Sequence, residues 1–130
     1  MAYVSLDSDQ IKKAHKKHKY TKEQVLQLEQ CMDPKNGPLY FMKTFMKIQH
    51  PTKGEMPFKP FAYQERLIEA YNSHRFSISM LPRQTGKTTC ASGYLIWYAM
   101  FRPDSQILIA AHKYAGASDI MSRVRYAYEM

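Results

Sequence analysis

At 130 residues the chain has the length of one domain, and its 45% hydrophobic and 13% aromatic content excludes a disordered polymer. No stretch approaches the ~18 apolar residues of a spanning helix, and the first thirty residues are polar and lysine-rich, without the apolar centre of a signal peptide. The net charge is +8, with 9 basic and 5 acidic residues in 1–50 and 10 and 6 in 51–130; this favours a polyanionic partner such as nucleic acid without proving one. Cys31 and Cys90 lie far apart with no CxxC or histidine at ligand spacing, so they read as two reduced, buried thiols of a cytoplasmic protein.

Residues 7–19 hold five lysines beside His15 and His18, with only Ile11 and Ala14 to offer a core face. They read as a surface arm, either solvated or laid on DNA phosphates. Thr21-Lys22-Glu23-Gln24 is a capping box, and the helix it opens carries Val25, Leu28 and Met32 on one stripe with Leu26 beside them. Asp33-Pro34 stops that helix, and Lys35-Asn36-Gly37-Pro38 is a turn. Leu39, Phe41, Met42, Phe45 and Met46 then recur at spacings of three and four, as the core stripe of a second helix. Pro51 forbids helix before it, and residues 51–60, with three prolines and Gly54, read as an extended connector. A third helix over about 62–72 turns Leu67, Ile68 and Tyr71 inward and Glu65, Arg66 and Glu69 outward.

Arg75–Met80 alternates polar and apolar residues, which predicts a strand. Behind it stands Leu81-Pro82-Arg83-Gln84-Thr85-Gly86-Lys87-Thr88-Thr89, and then a helix to about Phe101 with a broad apolar face of Cys90, Ala91, Tyr94, Leu95, Trp97, Tyr98 and Phe101. Strand, loop with Gly-Lys-Thr, helix is the order of a phosphate-binding loop. Gly86 lets the backbone approach a phosphate, Lys87 reaches the β- and γ-phosphates, and the Thr88 hydroxyl can ligate Mg²⁺. The fit to G-x-x-x-x-G-K-[ST] is imperfect, because Leu81 stands in place of the first glycine. Gln106–Ala111 is a near-continuous apolar run, as in the middle strand of a parallel sheet, and a last helix from about Ser118 turns Ile120, Met121 and Val124 inward. Residues 75–111 therefore form a βαβ unit, and its two strands are too few for a stable parallel sheet.

Tyr40–His50, Phe58–Leu67, Ser77–Thr89 and Ile107–Tyr128 resemble the N-terminal part of the large terminase subunits of T-even-like tailed phages, the ATP-driven motors that package DNA into a prohead. The resemblance is carried by Phe61-Ala62-Tyr63-Gln64-Glu65-Arg66, by Arg83-Gln84-Thr85-Gly86-Lys87-Thr88-Thr89, and by Ala110-Ala111-His112-Lys113 leading into Ile120-Met121-Ser122-Arg123. It covers about residues 37–130 well and the first 36 loosely. The Arg-Gln-x-Gly-Lys-Thr-Thr loop is fairly specific to that family, so the missing first glycine agrees with it.

The resemblance implies an α/β fold: an N-terminal helical region with a basic arm over 1–58, then over 59–130 the truncated start of a P-loop NTPase domain with a RecA/helicase-like parallel sheet. It implies that Arg83, Gln84, Thr85, Gly86, Lys87, Thr88 and Thr89 hold the phosphates of ATP. Lys87 is then the phosphate-binding lysine, Thr88 the Mg²⁺ ligand, and Arg83 the arginine that stabilises charge on the transferred phosphoryl oxygens. Tyr63 and Gln64 fall at the family's adenine-binding motif, where a glutamine amide can pair with adenine N6 and N7 and a ring can cover the base. Taken without the resemblance, the pair reads as a core tyrosine at a helix start beside an exposed glutamine. Lys113 and Arg123 follow the second strand, where helicase-like motors touch nucleic acid; ordinary solvated charge is the other reading of both.

Expected partners are double-stranded DNA, a portal protein and a small terminase subunit, in a ring on the portal and in the host cytoplasm, with no membrane. The family's Walker B acids and nuclease domain are expected beyond residue 130. The chain thus reads as a fragment that folds poorly and turns over little ATP by itself. Asp104, Asp119 and Glu129, the acids after the loop, are not assigned a catalytic role. Two other readings are weighed: a fragment of a helicase-like DNA translocase, which would favour a Gly- or Ala-initiated loop, and a stand-alone nucleic-acid-binding module with a vestigial loop, which a two-stranded core makes implausible.

Overall fold

A computed structural model describes residues 19–129; the lysine-rich arm lies outside them apart from Lys19. The elements run α1 (Lys22–Met32), α2 (Gly37–Phe45), β1 (Lys47–His50), β2 (Gly54–Pro57), α3 (Ala62–Ser73), α4 (Lys87–Phe101) and α5 (Tyr114–Glu129). No helix among the described residues is long and apolar enough to cross a membrane.

The capping box forms as expected: the Gln24 backbone N–H donates to the Thr21 hydroxyl at 3.3 Å, and the Thr21 N–H donates to the Gln24 side chain at 3.0 Å. The stripe behind it does not become core. Val25, Leu26, Leu28 and Met32 are exposed, and Cys31 is the one buried residue of α1. What holds α1 is its C-terminal end. The indole N–H of Trp97, buried in α4, donates to the Cys31 carbonyl at 2.7 Å, satisfying one of the four carbonyls that a helix end leaves over. Gly37 sits against the same carbonyl and the Trp97 ring, where a side chain would collide.

Helix α2 starts two residues earlier than the pattern predicts, because Pro38 stands in its first turn, where a missing N–H costs nothing. Met42 and Met46 enter the core, whereas Phe45 stays exposed. The expected connector over 51–60 is instead largely a hairpin. β1 and β2 pair antiparallel with Lys47 opposite Pro57 and His50 opposite Gly54. Pro51 lies in the turn, and Pro57 lies on an edge strand opposite Lys47. That pair exchanges no ladder bond, because the next one runs from the Phe58 N–H to the Met46 carbonyl, so neither proline costs the ladder a donor. Gly54 supplies the positive φ of +71°. Lys47 and Glu55 form an ion pair across the hairpin, and the Phe58 N–H donates to the Met46 carbonyl at 2.9 Å, placing Phe58 in the core.

The central cluster is Met42, Met46, Phe58, Leu67, Ile68 and Cys90, drawn from both sides of the 58/59 boundary. α4 lies at its centre and packs on α2, α3 and α5. Its buried residues are Cys90, Ser92, Gly93, Ile96 and Trp97; Ala91, Tyr94, Leu95, Tyr98 and Phe101, expected on the apolar face, are only half-buried. Gly93 lets Met42 and Met46 reach the helix backbone, since a Cβ there would stand 2.5 Å from Met42 Cε and 2.6 Å from Met46 Sδ. α5 begins at Tyr114, before the expected Ser118, and buries no residue fully.

Segments 75–80 and 106–111, expected as strands, have no ladder partner; β1 and β2 make the one sheet among the described residues. Ile78, Met80 and Leu108 are more than 90% exposed. The reason is physical: alternation favours an extended chain, but a strand exists only through hydrogen bonds to a neighbour.

Candidate phosphate-binding site

The loop between Leu81 and α4 is shaped by two left-handed residues, Gln84 at φ 61° and Gly86 at φ 74°, with Thr85 between them. Alternation of this kind turns successive N–H groups toward one concave side. The Thr85 hydroxyl donates to the Pro82 carbonyl at 3.0 Å and closes the turn on itself. Leu81 anchors the entry by packing on the central cluster. Arg83 and Gln84 stand exposed at the tip.

Lys87 opens α4. The first intrahelical bond at this end is from the Cys90 N–H to the Gly86 carbonyl, at 3.0 Å. The N–H groups of Lys87, Thr88 and Thr89 therefore have no acceptor within the helix. No side chain caps this terminus, and no acid lies in its first turn. The positive end of the helix dipole thus faces the loop without a local anion. The Lys87 ammonium folds back across the loop and donates to the Leu81 carbonyl at 3.4 Å. Thr88 and Thr89 are half-buried in the same turn. Below them, Cys90 is fully buried, and burial pushes its thiol up to about 11. At neutral pH it is a protonated packing group and no nucleophile.

The first turn of α3 closes the site from the other side. Tyr63 Oη donates to the Thr85 carbonyl at 2.8 Å, and Gln64 Nε2 donates to the same oxygen at 3.1 Å. Gln64 Oε1 accepts from the Phe61 N–H at 2.9 Å, so the amide also caps α3. Gln64 is 6% exposed, a polar side chain held within the protein. Phe61 and Tyr63 remain open to solvent, their rings stacked within 8° of parallel at 5.9 Å.

The structure thus brings Tyr63, Gln64, Thr85, Gly86 and Lys87 together. Of the two expected DNA contacts, Lys113 is exposed ahead of α5, and Arg123 pairs with Asp119 at 3.4 Å along that helix. Two acceptors of the site were not legible in the sequence, the carbonyls of Leu81 and Thr85, because a backbone oxygen leaves no residue-type signal. The aromatic-glutamine pair at a helix start is the sole trace of the second. Ser92, one turn past Thr88, carries a buried hydroxyl without a hydrogen-bond partner and lines a cleft with Thr89, Ser122 and Arg123. Among the described residues no group of three or more histidines, cysteines or acids is placed to hold a metal. No known family model matches the chain.

Proposed function

We propose that the Leu81–Thr89 loop binds the phosphates of ATP with Mg²⁺, and that the chain is the N-terminal part of a phage DNA-packaging motor, the large terminase subunit. The observation that carries the first statement is the union of left-handed Gln84 and Gly86, three uncapped N–H groups at 87–89 and a lysine folded over the loop. An anion is the ligand that satisfies all three. Backbone N–H groups of this kind bind phosphate oxygens and lose no side-chain entropy in doing so.

The arrangement fits a polyphosphate in its protein ligands. Lys87 would exchange the Leu81 carbonyl for phosphate oxygens, and the hydroxyl of Thr88, in the first turn of α4, would serve as the Mg²⁺ ligand. When bound, the Mg²⁺ neutralises charge on the β- and γ-oxygens. Arg83 at the exposed tip offers a second cation for the phosphates, and the stacked Phe61 and Tyr63 rings offer a face for a base. The packaging assignment rests on the Arg-Gln-x-Gly-Lys-Thr-Thr loop and the Tyr63-Gln64 pair standing against it; double-stranded DNA, a portal and a small subunit are its partners on that reading, in a host cytoplasm.

Titration of the 130-residue chain with Mg-ATP tests the loop. Saturable binding is expected, weakened about ten- to a hundredfold in Lys87→Ala, the loss of one charge-assisted hydrogen-bonding group. Unchanged affinity in Lys87→Ala would refute the site. Reading the coding DNA downstream of Met130 tests the motor: an apolar strand ending in Asp-Glu followed by a cluster of nuclease acids is expected, and a helicase pattern there refutes it.

A further inference from the structure

Gln64 occupies an unusual position for a residue meant to read a base. Its two polar atoms both serve backbone groups, Oε1 the Phe61 N–H at 2.9 Å and Nε2 the Thr85 carbonyl at 3.1 Å. The side chain is buried behind the loop, with Gly86 packed directly on it: a Cβ at Gly86 would stand 2.5 Å from Gln64 Nε2. The Thr85 carbonyl also receives the Tyr63 hydroxyl at 2.8 Å. Two donors from the first turn of α3 thus converge on one oxygen of the loop.

That oxygen belongs to the Thr85–Gly86 peptide, whose orientation sets the start of α4. Peptide planarity makes the Gly86 N–H point opposite to the Thr85 carbonyl. Two hydrogen bonds on the carbonyl therefore fix where the Gly86 N–H points and hold Gly86 in its left-handed conformation. We infer that Gln64, assisted by Tyr63, is a positioning residue that preorganises the loop for phosphate, and that its contribution to nucleotide affinity passes through the phosphates and not through the base. This rests on the loop being a phosphate site, as proposed above.

The two roles separate by probe. A clamp acts equally on every ligand with the same phosphates, whereas a base reader acts only on the matching base. The test titrates wild type, Gln64→Glu and Tyr63→Phe with ATP, GTP and inorganic triphosphate, each with Mg²⁺. Gln64→Glu, when ionised, keeps the acceptor for the Phe61 N–H but cannot donate to Thr85, so α3 stays capped. Because its charge by itself repels phosphates, the uncharged Tyr63→Phe carries the same test without that effect. The expected result is a loss of about tenfold for all three ligands alike in Gln64→Glu, one hydrogen bond at a preorganised site, and a smaller common loss in Tyr63→Phe. Helix content near wild type, with an unfolding midpoint lowered by no more than the one lost hydrogen bond, identifies the loss as local. If Gln64→Glu weakens ATP but leaves GTP and triphosphate unchanged, the amide reads the base and the inference is overturned. It is equally overturned if neither variant changes any affinity. If wild type binds none of the three, the phosphate site itself fails, a result distinct from both.

Discussion

Two glycines with nearly the same backbone make the loop clamp measurable. Gly86 has φ 74° and Gly54 φ 71°, both in the region that L-residues avoid. Replacing either with alanine costs about 1–2 kcal/mol for the left-handed backbone, offset in both cases by roughly 0.4–1 kcal/mol of reduced freedom in the unfolded chain. The surroundings differ. A Cβ at Gly54 meets nothing within 4 Å, but one at Gly86 stands 2.5 Å from Gln64 Nε2. Gly86→Ala must therefore push the Gln64 amide off the Thr85 carbonyl, at a further cost of about 1 kcal/mol for the hydrogen bond. Urea unfolding followed by far-UV circular dichroism should show Gly86→Ala less stable than Gly54→Ala by about that amount, at unchanged slope. In a Gln64→Ala background the excess should vanish, since there is no amide left to displace. Equal losses at the two glycines would refute the interlock between Gly86 and Gln64.

Trp97→Phe removes the indole N–H and leaves the Cys31 carbonyl buried without its donor; a loss of about 1–3 kcal/mol in urea unfolding is expected, with the α1 end released to faster hydrogen exchange. Burial raises the Cys90 thiol from its ordinary 9.0 to about 11, so the folded chain keeps a proton that the unfolded chain gives up. The stabilising contribution is whole below pH 9 and is lost as pH rises toward 11, which unfolding of Cys90→Ala against wild type across that window checks; native Cys90 should also resist thiol reagents until the chain unfolds. Ile78→Lys and Leu108→Lys together should shift stability by less than about 0.5 kcal/mol, because both side chains already face solvent, while light scattering falls as exposed apolar side chains are removed.

Local chemistry was read well where it is self-contained. The Thr21 capping box, the stop at Asp33-Pro34 and the extents of α3 and α4 follow from bonds between near neighbours, which sequence displays directly. Face assignment was weaker. Val25, Leu28 and Met32 keep a helical spacing yet stay exposed, because periodicity names a stripe and not a partner to bury it. The hairpin is illegible for a related reason: Pro51 and Pro57 read as breakers, although a turn and an edge strand both tolerate them. At the candidate site, the sequence singles out the loop residues and the Tyr63-Gln64 pair but not their mutual geometry. That two helix-start side chains meet on the Thr85 carbonyl depends on the packing of α3 against α4, which no local pattern encodes.

The unpaired segments 75–80 and 106–111 bear on the loop itself. In a phosphate-binding loop the strand before it is the rigid floor from which the turn springs. Here Phe76, Ile78 and Met80 are exposed and the segment has no ladder, so that floor is missing on the Arg75 side. The loop nevertheless keeps a defined shape, because its anchors lie elsewhere: Leu81 in the core, Thr85 under the α3 donors, and Gly86 bonded into the first turn of α4. Each of these holds through helix packing and needs no sheet. On the proposed reading, phosphate binding then rests on α3 and α4. A sheet would add restraint to the segment before Leu81. Transmitting the state of the loop to distant parts of a motor needs more: a rigid element leading away from it, and the extended segments become one only when neighbouring strands pair with them.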